Sequence, residues 1–289
     1  MEKTITDMPL VTKDYSASAS LKTPIRREWI RKTAGYLPSL AAFVIFVGGW
    51  EWVCRLFDVP IFLVPRPTDI VRSAVENGSS LLASLWTTAY ETLIGFVFSL
   101  ILGVLGAVLL ASSKWVEKSV YPYAIVLQTI PIIAIAPIIV IWFGAGLNAI
   151  VFITFLIGFF PMLSNTLIGL NSTDHNMKNL FFLYNASPLQ MMWKLRIPAA
   201  LPYMLAGLKI SATLSVIGAI VGEYMAGVGG SKGGLGYAIT VAAVRMNTAY
   251  LFACGLSASL MGIAFFLIVN RISKLLLSSW HESELGRDN

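Results

Sequence analysis

Charge is what this chain has least of. Only 12% of its 289 residues are Asp, Glu, Lys or Arg, while 56% are hydrophobic. Soluble domains carry about a quarter charged residues, so a soluble globular fold is excluded. Histidine and cysteine are scarce, with two of each. His175 and His281 stand alone, and Cys54 and Cys254 lie in or beside apolar runs. Without ligand spacing these residues form neither a metal site nor a disulfide framework. No Ser/His/Asp set has a convincing context for nucleophilic catalysis. The phosphate-binding pattern G-x-x-x-x-G-K-[ST] is missing as well; the glycine-rich run Gly227–Gly234 does not follow it. The chain is therefore expected to be no enzyme, with no cofactor of its own. A net charge of +6 marks nucleic-acid binding only where it forms a face on a folded domain. Here the bases lie between apolar runs, and no nucleic acid is expected.

Apolar length is what the chain has most of. Six runs reach the roughly 20 residues that a helix needs to cross a bilayer: 36–57, 84–111, 119–143, 147–170, 200–226 and 248–277. The expected fold class is an all-α membrane protein with six transmembrane helices. Residues 1–35 read as a basic cytoplasmic tail, mostly disordered, ahead of a transmembrane domain at 36–280 and a short C-terminal tail at 281–289. A cleaved signal peptide is not expected, because the first apolar run begins too far in. Between the first two runs, Pro67 to Asn77 fits an interfacial amphipathic helix. Pro131 and Pro137 fall inside the third run, where neighbouring helices can satisfy the freed carbonyls. Gly95, Ser99, Gly103 and Gly106 follow three- and four-residue steps that favour close packing in lipid. With the N-terminus inside, 16 of the 21 Lys and Arg fall on the cytoplasmic side. The positive-inside rule then places both termini and the 171–201 loop in the cytoplasm.

That loop is the only long polar interruption, NSTDHNMKNLFFLYNASPLQMMWKLRIPAAL. Asp174 is placed to N-cap a first helix, and Asn185 to end it in the left-handed conformation that Asn tolerates. Ser187 and Pro188 open a second helix as its cap and first residue. Pro198 and Pro202 mark the start of the next apolar run. The first helix displays Met177, Leu180, Phe181, Phe182 and Tyr184. So much apolar surface either folds back on the protein or serves as a knob for a partner.

The loop resembles the cytoplasmic loop of ABC importer permeases, whose pattern is Glu-Ala-Ala, three residues, Gly, nine residues, Ile-x-Leu-Pro. Asn185 occupies the Gly position, and Leu195-Arg196-Ile197-Pro198 follows at the right distance. The triplet itself is replaced by Asn179-Leu180-Phe181. Val64-Pro-Arg-Pro-Thr68, Gln128-Thr-Ile-Pro131 with Ala136 to Gly144, and Gly234-Leu-Gly-Tyr237 resemble further segments of the sulfonate/taurine/nitrate/thiamine-precursor branch, in the same order. The resemblance runs from about Trp50 to Leu277. It implies a type I ABC importer permease fold, N-in and C-in, in a bacterial inner membrane, with coupling helices at about 174–195. It also implies three partners: a second permease copy, two cytosolic ATPase subunits that bind the ATP and Mg, and an external solute-binding protein. The solute would be a thiamine-precursor pyrimidine, riboflavin, a sulfonate, taurine or nitrate. The Gly222-Glu-Tyr224 context resembles the pyrimidine and riboflavin members more than the sulfonate ones. ATPase coupling would fall to Asp174, Asn179, Leu180, Phe181, Asn185, Ser187, Pro188 and Pro198.

Ionisable and polar groups within spans are the remaining candidates. Glu223 either lies on the solute path or is a structural carboxylate bonded to a neighbouring helix. Gln128, Pro131 and Asn165 either line the path or hold helices together. Glu91, near Trp86 and Tyr90, reads as interfacial. The alternative function is a self-sufficient secondary transporter or channel. Such a protein would be expected to show inverted repeats, broken helices and ionisable groups near the midplane, whereas this chain has no convincing internal repeat and few buried charges.

Overall fold

The computed structural model describes residues 25–227 and 233–278, and it contains only helices among them. The chain divides at Trp50 and Glu51 into two units. The helix α1 (Ile25–Leu56) begins in the first unit, inside the segment read as a disordered tail, and its last turns, from Glu51 on, belong to the second. Residues 1–24 and 279–289, and with them most of both tails, lie outside the described residues.

The second unit holds α2 (Pro67–Glu76), α3 (Gly78–Ser112), α4 (Lys114–Thr129), α5 (Ile132–Phe143) and α6 (Leu147–Asn171). Then come α7 (His175–Leu183), α8 (Pro188–Met191), α9 (Ile197–Ala226), α10 (Leu235–Val244) and α11 (Thr248–Ser278). Five helical stretches are long and apolar enough to span a membrane, or six if α4 and α5 count as one bent span. The α2 segment is helical as its amphipathic pattern predicts, and Glu51 caps it by accepting from Thr68 N and Oγ1 at 3.2 and 3.0 Å.

Three differences from the sequence reading have physical causes. The third apolar run is not one helix, because α4 and α5 meet at 99°. Pro131 lacks an N–H and pushes Ile130 into an extended conformation (φ −70°, ψ 124°), which breaks the ladder. Hydropathy cannot register this break, since both arms are apolar. Conversely, Pro198 lies in the first turn of α9, where the next apolar run begins, but no break in the helix precedes it. A π-helical turn, Met192–Arg196, joins α8 to α9, and its wider ladder absorbs a proline in the next turn. Finally, Gly227–Gly234 does not lead directly to the last span, because α10 intervenes; residues 228–232 of that run are outside the described residues.

α3, α6 and α9 form the core, with α6 and α9 antiparallel: Gly146 N–H donates to Ala226 O at one end, and Arg196 reaches Leu170 O at the other. Small residues set the spacing. A Cβ on Gly158 would lie 2.6, 2.8 and 2.9 Å from the hydroxyls of Ser99, Ser215 and Ser211. Ser99 Oγ donates to Phe155 O at 2.9 Å, and Ser211 Oγ donates to Gly158 O. Without hydrophobic force between helices in lipid, such close approach and cross-helix bonding supply the attraction.

Candidate functional site

The 172–196 loop folds as its caps dictate. Asp174 Oδ1 accepts the Asn176 N–H at 2.6 Å. Ser187 and Gln190 make a reciprocal capping box at 3.2 and 2.9 Å, with Pro188 in the first turn. Asn185 has φ 50°, the left-handed value that ends α7. No residue of α7 is buried. Phe182, Leu183 and Tyr184 are 78–81% exposed, and Met177 and Leu180 are 48% and 45% exposed. Asn179 is exposed, whereas Phe181 is half-buried. With Leu180, Tyr184, Ala186, Gln190 and Lys194, Phe181 lines a groove of about 310 Å³. Burial, together with Arg196 and Lys114, holds the Lys178 ammonium below its ordinary range.

Beneath the loop, Arg196 is a junction that pattern reading missed, because it counted only as one base among several. Its Nη1 donates to Ala111 O at the end of α3 (2.8 Å) and its Nε to Leu170 O near the end of α6 (3.0 Å). Nη2 donates to Asn171 Oδ1 (2.9 Å), and Asn171 Nδ2 donates to Glu117 Oε1 of α4 (2.7 Å). Helix C-termini present unpaired carbonyls and partial negative charge, and a guanidinium answers both. One side chain at the head of α9 thus ties together the ends of three other helices.

Midway along the core, the α4–α5 break opens a cavity of about 550 Å³. Gln128 and Pro131 line it, together with Thr129, Leu156, Phe160 and Leu214. Among the described residues, no charged side chain lines it. Asn165 is elsewhere: its Nδ2 donates to Pro161 O at 2.8 Å, and its Cβ packs where α6 meets Gly207 of α9.

Glu223 is also away from this cavity. It is 1% exposed near the far end of α9, and its Oε2 accepts the Gly236 N–H at 2.6 Å. Glu91 is buried within the protein, against Glu223. It is 5% exposed, and its carboxyl lies within hydrogen-bonding reach of that of Glu223. Trp86 and Tyr90, which prompted the interfacial reading, are 75% and 52% exposed.

The model of the binding-protein-dependent transport system inner membrane components matches residues 81–280. The chain belongs to this family. The permease is 35% identical to the formylaminopyrimidine transport permease protein ThiX of Halalkalibacterium halodurans, over 84% of this chain and 95% of the relative. It is 29% identical to the riboflavin transport system permease protein RibX of Chloroflexus aurantiacus, over 89% and 93% of the two chains. Among solved structures it resembles inward-facing conformations of the MetNI methionine ABC transporter, with a TM-score of 0.55 and 19% identity. That match covers 68% of this chain and 98% of the other, and it shows the helical fold. The permease is a multi-pass inner-membrane protein of an ABC import system.

Proposed function

We propose that the permease forms the solute path of an ATP-driven importer, with α7 as the helix through which an ATPase subunit drives it. The observation that supports this most is the pairing of an exposed apolar helix with the Arg196 junction below it. Leu180, Phe182, Leu183 and Tyr184 offer an uncovered anchor surface, and aromatic anchors dominate such interfaces. Asp174 and Asn185 fix both ends of α7, so a push on it is passed on and not lost to fraying. Ser187, Pro188 and Pro198 belong to the continuous helix that carries the push into α9. In this reading Phe181 seats α7 on its own loop, and Asn179 replaces the charge that the family's Glu would bring. The working assembly has two permease copies, two ATPase subunits holding ATP and Mg, and an external binding protein. The chain has six spans with α4–α5 as one, and both termini are cytoplasmic.

The cavity at the α4–α5 break is the solute's station, with Gln128 and Thr129 as its polar groups and Phe160 as an aromatic wall. Its size lies in the usual range for small-molecule sites. A wall without Lys, Arg or His fits an uncharged heterocycle better than nitrate or a sulfonate, since a desolvated anion needs a counter-charge. The names of the pyrimidine and riboflavin relatives agree with that choice. The same wall offers no ionisable group for proton coupling, but a broken helix such as α4–α5 is also a feature of secondary transporters, so the ATP dependence of uptake separates the two readings. The test is uptake of radiolabelled formylaminopyrimidine and of nitrate by cells expressing the permease with its co-encoded ATPase and binding protein. Pyrimidine uptake that falls severalfold in Gln128→Leu supports the reading; nitrate uptake alone refutes the substrate class.

A further inference from the structure

We propose that Thr88 and Glu223 form a two-point clasp on the N-terminus of α10, and that its release gates the membrane face opposite α7. The first N–H groups of a helix have no partner within it. The N-cap of α10 is Gly234, which has no side chain to offer. Two other helices take over that task. Leu235 N–H donates to Thr88 Oγ1 of α3 at 2.8 Å, and Gly236 N–H donates to Glu223 Oε2 of α9 at 2.6 Å. Thr88 Oγ1 gives its own hydrogen to Ser84 O at 3.0 Å, which leaves its lone pairs facing α10. Thr88 and Leu235 are fully buried and Glu223 nearly so.

Glycine at both 234 and 236 is a condition of this contact. A Cβ on Gly234 would overlap the Glu223 carboxyl, and one on Gly236 would lie 2.9 Å from Glu223 Cβ. The clasped end is the most buried part of α10: Gly234, Leu235 and Gly236 are all buried, while near the other end Ala242 is buried and Val244 is 82% exposed. A turn follows the helix at Arg245 and Met246, where Met246 has φ 54°. Behind the clasp, the Glu223 carboxyl lies within hydrogen-bonding reach of that of Glu91 on α3, and both are buried. Two carboxyls kept from water at one place are costly, so an open arrangement that lets water in is within reach. Thr88 and Glu223 are positioning residues: they act on transport through α10.

The gating role rests on the importer reading, while the clasp itself does not. Hydrogen exchange on the full-length permease therefore tests the clasp separately. Thr88→Val and Glu223→Leu should speed exchange of the 235–238 amides by about tenfold or more, with α6 unchanged. Thr88→Ser and Glu223→Gln keep an acceptor in place and should stay within about twofold of the parent. If Glu223→Leu does not accumulate, the Thr88→Val and Thr88→Ser pair decides alone. Equal exchange in those two overturns the clasp. For gating, Thr88→Cys with Leu235→Cys, in a chain with Cys54 and Cys254 replaced by Ala, is bridged with a short bis-methanethiosulfonate, which forms a disulfide to each cysteine, in the assembled transporter. Formylaminopyrimidine uptake should be lost on bridging and return on reduction, with the ATPase still co-purifying. Undiminished uptake in the bridged chain overturns the gate. Absence of ATP-dependent uptake in the cysteine-free parent, with Thr88 and Leu235 intact, instead contradicts the importer reading.

Discussion

Replacing Arg196 by Ala removes three hydrogen bonds at once, to Ala111 O, Leu170 O and Asn171 Oδ1. A hydrogen bond to a charged group contributes about 1.5–3 kcal/mol, and a cation at a helix C-terminus adds about 0.3–1 kcal/mol. Arg196 is only half-buried, so water can replace part of this. A net loss of about 3 kcal/mol is expected, or about 6–12 °C in the unfolding temperature of a chain this size. Arg196→Lys keeps the charge but cannot span three acceptors from one ammonium, so it should lose about half as much. The assay is thermal unfolding of the purified permease in detergent, paired with solute uptake at a temperature where both variants remain folded. Uptake should fall further than stability explains, because α7 then pushes on helices no longer tied together. Parental stability and uptake in Arg196→Ala would refute the junction.

Other expectations follow from the same geometry. Phe182→Asp should abolish co-purification of the ATPase, since docking would bury an unpaired charge, while Phe181→Asp should first unseat α7 and lower the melting temperature. Asn185→Gly should be tolerated at φ 50°, whereas Asn185→Pro should bind the ATPase but impair uptake, because proline cannot adopt that conformation. Gly158→Leu should prevent accumulation of folded permease, read by size-exclusion chromatography, because its side chain has no room among Ser99, Ser211 and Ser215. Single cysteines at Ser113 and Met246 of a cysteine-free chain should label from opposite sides of intact cells; labelling of both by an impermeant reagent refutes the topology.

What the sequence revealed and what it hid divide along physical lines. Caps are local, so Asp174, Asn185 and Ser187 could be assigned from neighbours alone. Apolar length is equally local, and it located the spanning helices. The bend at Pro131 was hidden because both arms are apolar, and a proline inside a membrane helix is as often absorbed as not; Pro137 and Pro161 are. α10 was hidden by its ten residues and the glycines before it. Arg196 and Glu91 needed tertiary information: one is bonded to residues 85 positions away, and the other is buried by a helix over a hundred residues downstream.

The central claim is that this chain moves its solute on energy delivered through α7 by a separate ATPase. Its most direct test is reconstitution of the permease into proteoliposomes with its co-encoded ATPase and binding protein. Uptake of formylaminopyrimidine should require both ATP on the ATPase side and binding protein on the other, and should vanish in Phe182→Asp. Uptake by the permease alone, driven by an imposed ion gradient, would contradict the account.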